Sequence, residues 1–186
     1  MSEKKSVAKP ITQKRLMNIA LYYLERYESS AENLRRLLQR RILRAEMKGA
    51  AVPVEAQAWI DSVIKEVSRL GYVDDGRFAA SMVEKYRKAG KSQSYIRKKL
   101  TLAGVDPDVQ NEALAETDEA GNGDAELEAA SLLVKKRKIG CFRCREDRAL
   151  FRKKDLAVLA RAGFSYQTAV KALGESDRGE DEDVWN

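Results

Sequence analysis

Lysine and arginine residues, gathered in three zones, are the side chains of this sequence best suited to chemistry, because their charges bind phosphates and carboxylates. The zones span residues 35–44, 85–99 and 135–154. The formal net charge is +6, and acidic residues collect elsewhere, in residues 116–128 and 175–186. This segregation predicts an acidic partner such as a nucleic acid.

The second and third basic zones form the predicted binding surface. Arg97, Lys98 and Lys99 fall within one helical turn, and the third zone continues on both sides of Gly140. Cations at this density repel one another unless an anion neutralises them, whereas the first zone is explained equally well as a solvated helix face. The predicted partner-binding and DNA-binding residues are Lys85, Arg87, Lys88, Lys91, Arg97, Lys98, Lys99, Lys135, Lys136, Arg137, Lys138, Arg143, Arg145, Arg148, Arg152, Lys153 and Lys154.

No residue pattern in the sequence favours catalysis. Histidine is absent, so a nucleophile would lack its usual base, and no complete phosphate-binding loop of the form Gly-x-x-x-x-Gly-Lys-Ser/Thr occurs. Cys141 and Cys144 form a CxxC pair, but a structural zinc site takes about four ligands and a thioredoxin-like site needs a strand before the motif. We therefore predict a protein that is not an enzyme and holds no metal or cofactor, with thiol redox chemistry or metal binding as the alternative for the pair.

The aromatic residues do not form a predicted base-stacking platform. Tyr86, Tyr95, Phe142, Phe151 and Tyr166 lie on or next to apolar helix stripes, which favours core packing for them. Sequence-specific reading of bases is accordingly not predicted.

Helices have to position the basic zones, because the composition is rich in Ala, Leu, Lys, Arg and Glu, which lose little freedom in a helix. Apolar residues three and four apart predict a first helix from about Lys14 to Tyr27. Ser29 and Glu32 match a capping box at the start of the second helix.

Two adjacent carboxylates mark the start of a later helix. Asp74 and Asp75 are predicted to cap that helix and to form an ion pair with Arg77, rather than to bind a cation.

A pattern of Leu, Gly, an apolar residue, Ala and Leu occurs twice at identical separations, which indicates a repeat. The copies are Leu100, Gly104, Val105, Ala113 and Leu114, and Leu159, Gly163, Phe164, Ala172 and Leu173. Val67, Gly71 and Tyr72 give a weaker third copy. The prediction is an all-α fold that forms an elongated, curved array of three tandem three-helix repeats.

The predicted boundaries are an N-terminal extension at 1–13, repeats at 14–73, 74–118 and 125–174, an acidic linker at 119–124 and a disordered acidic tail at 175–186. The polar first nine residues and the lack of any stretch of about 20 apolar residues predict a cytoplasmic protein. Two cysteines fit a reducing compartment. A monomer is expected.

Several stretches together resemble the RecX family of regulators of the RecA recombinase. They include Leu70–Ala79, which reads LGYVDDGRFA, the opening pair around Leu24–Tyr27, Ile139–Arg143, and Lys154–Phe164. The similarity covers about Ile19 to Leu173. The sequence departs from the family in an extended segment at 42–56, in Cys141 where relatives often have proline, and in the acidic linker and tail.

The resemblance implies a protein that binds the RecA filament on single-stranded DNA and modulates its extension, ATP hydrolysis and co-protease activity in homologous recombination and the SOS response to DNA damage. Inhibition is the expected direction. The alternative is a stand-alone, sequence-independent DNA-binding protein, for which double-stranded DNA is a further ligand.

Overall fold

The computed structural model describes residues 10–120 and 124–174, and every regular element in these residues is helical. The all-α prediction is therefore confirmed. Predictions for residues 1–9, for 121–123 and for the tail at 175–186 lie outside the described residues. The helices are α1 Gln13–Leu24, α2 Ala31–Glu46, α3 Ala56–Arg69, α4 Asp75–Lys88, α5 Gln93–Leu102, α6 Pro107–Ala120, α7 Ala125–Arg137, a 3₁₀ turn Gly140–Phe142, α8 Arg145–Arg161 and α9 Tyr166–Leu173.

Three local predictions differ from the structure by a few residues. The first helix ends at Leu24, before Tyr27. The hydroxyl that caps α2 belongs to Ser30, which accepts from the Asn33 amide at 3.2 Å, while Ser29 donates to the Ser30 carbonyl. Helix α6 also continues to Ala120, so the predicted linker begins inside a helix.

The chain divides into two compact units, and unit 1 runs to Phe78 and takes in Ala103–Val105. Its core is formed by α1, α2 and α3, which contribute fully buried residues such as Leu16, Leu34 and Ile60. Each such side chain stabilises the folded state by about 1.5–3 kcal/mol, so the core contributes more than any single helix cap.

Unit 2 consists of Ala79–Leu102 and the residues from Asp106 onward. Its buried cluster joins α7, α8 and α9, with Ala129, Ala130, Leu159 and Phe164 at 2% exposure or less. The two alanines give α7 a flat side that α9 can approach closely.

The same polar contact pattern appears once in each unit. In unit 1, Ser30 caps α2 and also donates to the Ala103 carbonyl, while Asp75 accepts from the Ala31 amide at 2.8 Å. In unit 2, Ser92 caps α5 and donates to the Ala162 carbonyl at 2.6 Å. Glu126 there accepts from the Gln93 amide, as Asp75 does from Ala31.

This recurrence is consistent with the predicted tandem repeat. The apolar residues of both copies are buried, from 0% exposure at Leu100 and Leu159 to 7% at Ala172. The weaker third copy differs, because Tyr72 is 55% exposed and Val73 is buried instead.

The glycine of the repeat provides a stability test. Gly104 has φ +73°, and a side-chain carbon there would lie 2.3 Å from Cγ of Glu32 and 2.5 Å from its Cβ. Gly71 has φ +76° with open space around it. Gly71→Ala should therefore cost about 1 kcal/mol of unfolding free energy from backbone strain alone, and Gly104→Ala at least about 2 kcal/mol from strain plus the clash. Urea unfolding followed by far-UV circular dichroism measures both; equal losses would contradict the close packing.

Candidate nucleic-acid interface

A groove of about 440 Å³ in unit 2 brings basic residues and a tyrosine together. We call it the Tyr95 groove. None of its eight lining residues is acidic, so its three cations make it electropositive. The lining residues are Gly90, Lys91, Tyr95, Leu133, Arg137, Val158, Arg161 and Ala162.

Two close approaches of backbone create the groove. A side-chain carbon at Gly90 would lie 3.1 Å from the Ala129 carbonyl oxygen, so a glycine lets the turn before α5 contact α7. The Ser92 hydroxyl donates a hydrogen bond to the Ala162 carbonyl, and this contact holds the start of α5 against the end of α8. Cations from the turn before α5 and from the ends of α7 and α8 therefore line one site.

The ring of Tyr95 lines the groove and has two lysines beside it. It is half-buried, and the ammonium groups of Lys91 and Lys99 lie 5.0 and 5.4 Å from its centroid. Tyr86 packs against it edge-on, with centroids 5.3 Å apart. A cation–π contact at an exposed site contributes only about 0.5–1 kcal/mol, so a phosphate or a base can displace the lysines.

The prediction that the aromatic residues are core is wrong for Phe142, which is 51% exposed, whereas Tyr86, Tyr95, Phe151 and Tyr166 are half-buried. Helix periodicity detects an apolar stripe, but it does not say whether a neighbouring helix covers all of a ring.

Arg87 belongs to the fold rather than to the groove. Its side chain is 8% exposed and forms ion pairs with Glu126 and, at 3.4 Å, with Asp118. A buried guanidinium that is already paired has no free charge to offer a ligand. We therefore leave Arg87 out of the proposed binding surface.

Arg143 is also used by the fold. Its guanidinium donates to both carboxylate oxygens of Asp155 at 2.7 Å, and the Gly140 amide donates to the same carboxylate at 2.9 Å. Burial raises the pKa of Asp155, but the hydrogen bonds from Arg143 and Gly140, together with the Arg143 charge, outweigh it and hold the pKa below its usual value. Asp155 is thus ionised and anchors the 3₁₀ turn to α8.

The remaining predicted cations differ in how far contacts occupy them. Within the described residues, four have side chains that form no hydrogen bond, ion pair or ring contact: Lys85, Lys98, Lys135 and Lys138. Arg152 and Lys153 take part in contacts within the fold, and the Arg145 side chain lies outside the described part. Those with a polar or ring contact are Arg97 with Asn111, Lys88 with Glu84, Lys136 with the Ala89 carbonyl, Arg148 with the Cys141 carbonyl and Lys154 with Phe151.

Sequence reasoning missed Arg161. It lies in the last turn of α8, outside the three basic zones, and no neighbouring cation draws attention to it. The residue four positions earlier on α8 is Ala157, so no row of charges along the helix marks Arg161 in the sequence. Only the approach of the start of α5 to the end of α8 places it in the groove.

The carboxylates at the start of α4 are helix caps, as predicted, but for two different helices. Asp74 accepts from the Arg77 amide at 2.9 Å and caps α4, whereas Asp75 caps α2. The predicted ion pair was wrong, because the Arg77 guanidinium donates to the Gly71 carbonyl and lies 3.8 Å from Glu28.

Comparison with known proteins identifies the family. No protein-family model matches the sequence. A regulatory protein RecX from Myxococcus xanthus is 35% identical over 159 residues, which cover 85% of this chain and 83% of that protein. The chain belongs to the RecX family. A further regulatory protein RecX, from Agrobacterium fabrum, is 26% identical over 84% of this chain and 80% of that protein.

The RecX fold is also found in a solved structure. The crystal structure of RecX from Lactobacillus salivarius superposes with a TM-score of 0.61 at 17% identity, over 87% of this chain and 94% of that chain. At this identity the likeness concerns the fold. The relatives are named regulatory proteins, so the RecX assignment gives this chain a regulatory role.

The CxxC pair of this RecX-family chain has exposed, free thiols, Cys141 in the 3₁₀ turn and Cys144 just before α8. Among the described residues no group of three or more potential ligands could hold a metal ion. None of the helices in those residues has both the length and the apolar character needed to cross a bilayer.

Proposed function

We propose that this protein binds the RecA filament on single-stranded DNA and inhibits its extension, ATP hydrolysis and co-protease activity. RecX membership supports a regulatory role, and the resemblance to regulators of RecA supplies the target. The observation that carries the proposal is the Tyr95 groove, where Lys91, Arg137 and Arg161 line the same site as an aromatic ring, with no acid in the lining.

The groove chemistry suits a single strand better than a duplex. Proteins that hold single strands combine cations for the backbone with aromatic faces for the bases. The groove contains both, with Tyr95 as the aromatic face. It offers no array of side chains that would read base edges, which fits a regulator that acts on filaments of any sequence.

The same groove also supports a second candidate, a stand-alone protein that coats DNA. Binding that depends on salt does not separate the two, because both involve the release of counterions from phosphates. The ratio of protein to DNA does separate them, since a filament regulator acts at a few sites and a coating protein must cover the strand.

The test is ATP hydrolysis by RecA on a long oligothymidylate, measured as this protein is added. Binding of the protein to the same DNA without RecA is measured in parallel by fluorescence polarisation. Loss of hydrolysis at amounts far below those that saturate the DNA is the expected result. Loss only at saturation would favour coating, and unchanged hydrolysis at saturation would refute both.

A further inference from the structure

A second groove, in unit 1, is larger than the Tyr95 groove and chemically different. It has a volume of about 830 Å³ and runs between α1 and α2, and we call it the α1–α2 groove. Its lining is largely apolar, and it combines aliphatic residues such as Ile19 and Leu37 with three tyrosines, Tyr22, Tyr23 and Tyr27. Apolar surface of this extent, left open between two helices, is typical of a site that another apolar group covers.

Cations form one edge of this groove. Arg41, Arg44 and Lys48 lie three and four residues apart, so they make a stripe along α2 and the turn after it. In the part of the chain that the structure describes, these three side chains form no ion pair. No acidic residue lines the groove.

Two other arginines of α2, in contrast, are neutralised by carboxylates. Arg36 is paired with Glu32 at 2.9 Å, and Arg35 is paired with both Glu32 and Asp61. The arginines in the first turns of α2 are therefore neutralised by Glu32 and by Asp61 of α3, whereas Arg41 and Arg44 in its later turns form no ion pair in the described residues. The missing negative charge has to come from an occupant or from solvent ions.

The dimensions of the groove fit one short helix. Leu37 and Lys48 are eleven positions apart, a rise of about 16 Å or three turns of α-helix. A helix in such a groove places an apolar stripe on the floor and its flanking residues at the edge. Acidic flanking residues would then face the cationic stripe.

A nucleic acid fits the same groove less well. Tyr22, Tyr23 and Tyr27 line the groove and offer faces to bases, but much of the remaining lining is aliphatic. The aliphatic lining residues are Ile11, Leu16, Ile19, Leu37 and Ala45. Covering them takes the apolar side chains that a helix supplies, whereas a nucleic acid offers only phosphates, sugars and bases.

We infer that the α1–α2 groove docks an acidic amphipathic helix of a partner protein, with apolar side chains on the floor and carboxylates on Arg41, Arg44 and Lys48. This site is separate from the Tyr95 groove and does not depend on the proposed action on RecA. It gives the protein a protein-binding surface in addition to its polyanion-binding one.

The experiment uses the full chain and three fluorescein-labelled probes in a polarisation assay. One probe is a designed helical peptide with leucine on one face and glutamate on the other, the second has lysine in place of glutamate, and the third is an oligothymidylate. The double variant Arg44→Glu with Lys48→Glu changes the cationic edge. Arg40→Glu is the matched control, because Arg40 is exposed on the same helix and does not line the groove.

The acidic peptide should bind the full chain, and the double variant should bind it at least about tenfold more weakly, since reversal replaces attraction by repulsion. Arg40→Glu should leave its affinity within about twofold. Failure of the acidic peptide to bind, equal binding of the lysine peptide, or an equal loss in Arg40→Glu would overturn the inference. The inference would also be overturned if the double variant lost affinity for the oligothymidylate but kept its affinity for the acidic peptide, because the groove would then be a nucleic-acid site.

Discussion

Reversing two charges of the Tyr95 groove, Lys91→Glu together with Arg137→Glu, is expected to weaken inhibition of RecA ATP hydrolysis by at least about a hundredfold. Charges about 4 Å apart interact with between about 1 and 4 kcal/mol at a protein surface, and each 1.4 kcal/mol changes affinity tenfold. Lys91 lies in the turn before α5 and Arg137 at the end of α7, and both line this groove. The measurement is the amount of variant that halves hydrolysis on oligothymidylate.

The control for this variant is Lys171→Glu, which reverses an exposed charge on α9 outside the groove. It should inhibit as well as the unchanged chain, because an exposed charge away from the groove is largely screened by salt. Full inhibition by the Lys91 and Arg137 variant would remove the groove from the proposed interface. The exposed lysines Lys98, Lys135 and Lys138 would then be the next to test.

Replacing a buried carboxylate should have the largest effect on stability. Asp155 is 2% exposed and accepts hydrogen bonds from Arg143 and the Gly140 amide. Asp155→Ala leaves that guanidinium and that amide without their partner, and breaking a buried pair in this way costs about 3–5 kcal/mol. Urea unfolding at neutral pH measures the loss. Glu112→Ala, an exposed carboxylate on α6, should stay within about 0.5 kcal/mol.

The free energy by which Asp155 stabilises the fold should decrease at low pH. Its pKa in the folded protein lies below the usual value, so its carboxylate stabilises the fold fully above the unfolded pKa of about 3.9. The contribution is lost as the pH falls from there through the lower folded pKa. The difference in unfolding free energy between the unchanged chain and Asp155→Ala should therefore be constant above about pH 5 and shrink below about pH 4. A difference that does not change with pH would contradict an ionised Asp155.

Helices and their ends could be predicted from the sequence because they depend on interactions between residues close together in the chain. Helix periodicity needs only neighbours in sequence, and glycines that end helices need only a positive φ, as Gly71, Gly104 and Gly163 have. The repeat was visible because its apolar positions face the core in both copies, as Leu100 and Leu159 do. Ser30 was missed in favour of Ser29 because either hydroxyl can cap the helix, and the contact with Ala103 selects between them.

The candidate site could be predicted only in part. Lys91 and Arg137 were expected to bind a polyanion, and both line the groove. Arg87 was expected to do the same, but its partner Glu126 lies 39 residues away, and no sequence pattern links the two.

The amino-acid sequence by itself determined the helices, their glycine ends, the excess of positive charge and the resemblance to the RecX family. Only the tertiary structure decided which cations remain available and which aromatic ring they surround. The physical reason is that a charge is available to a ligand only when no partner has neutralised it. Such partners arrive through contacts between distant segments, as Glu126 does for Arg87 and Asp155 for Arg143.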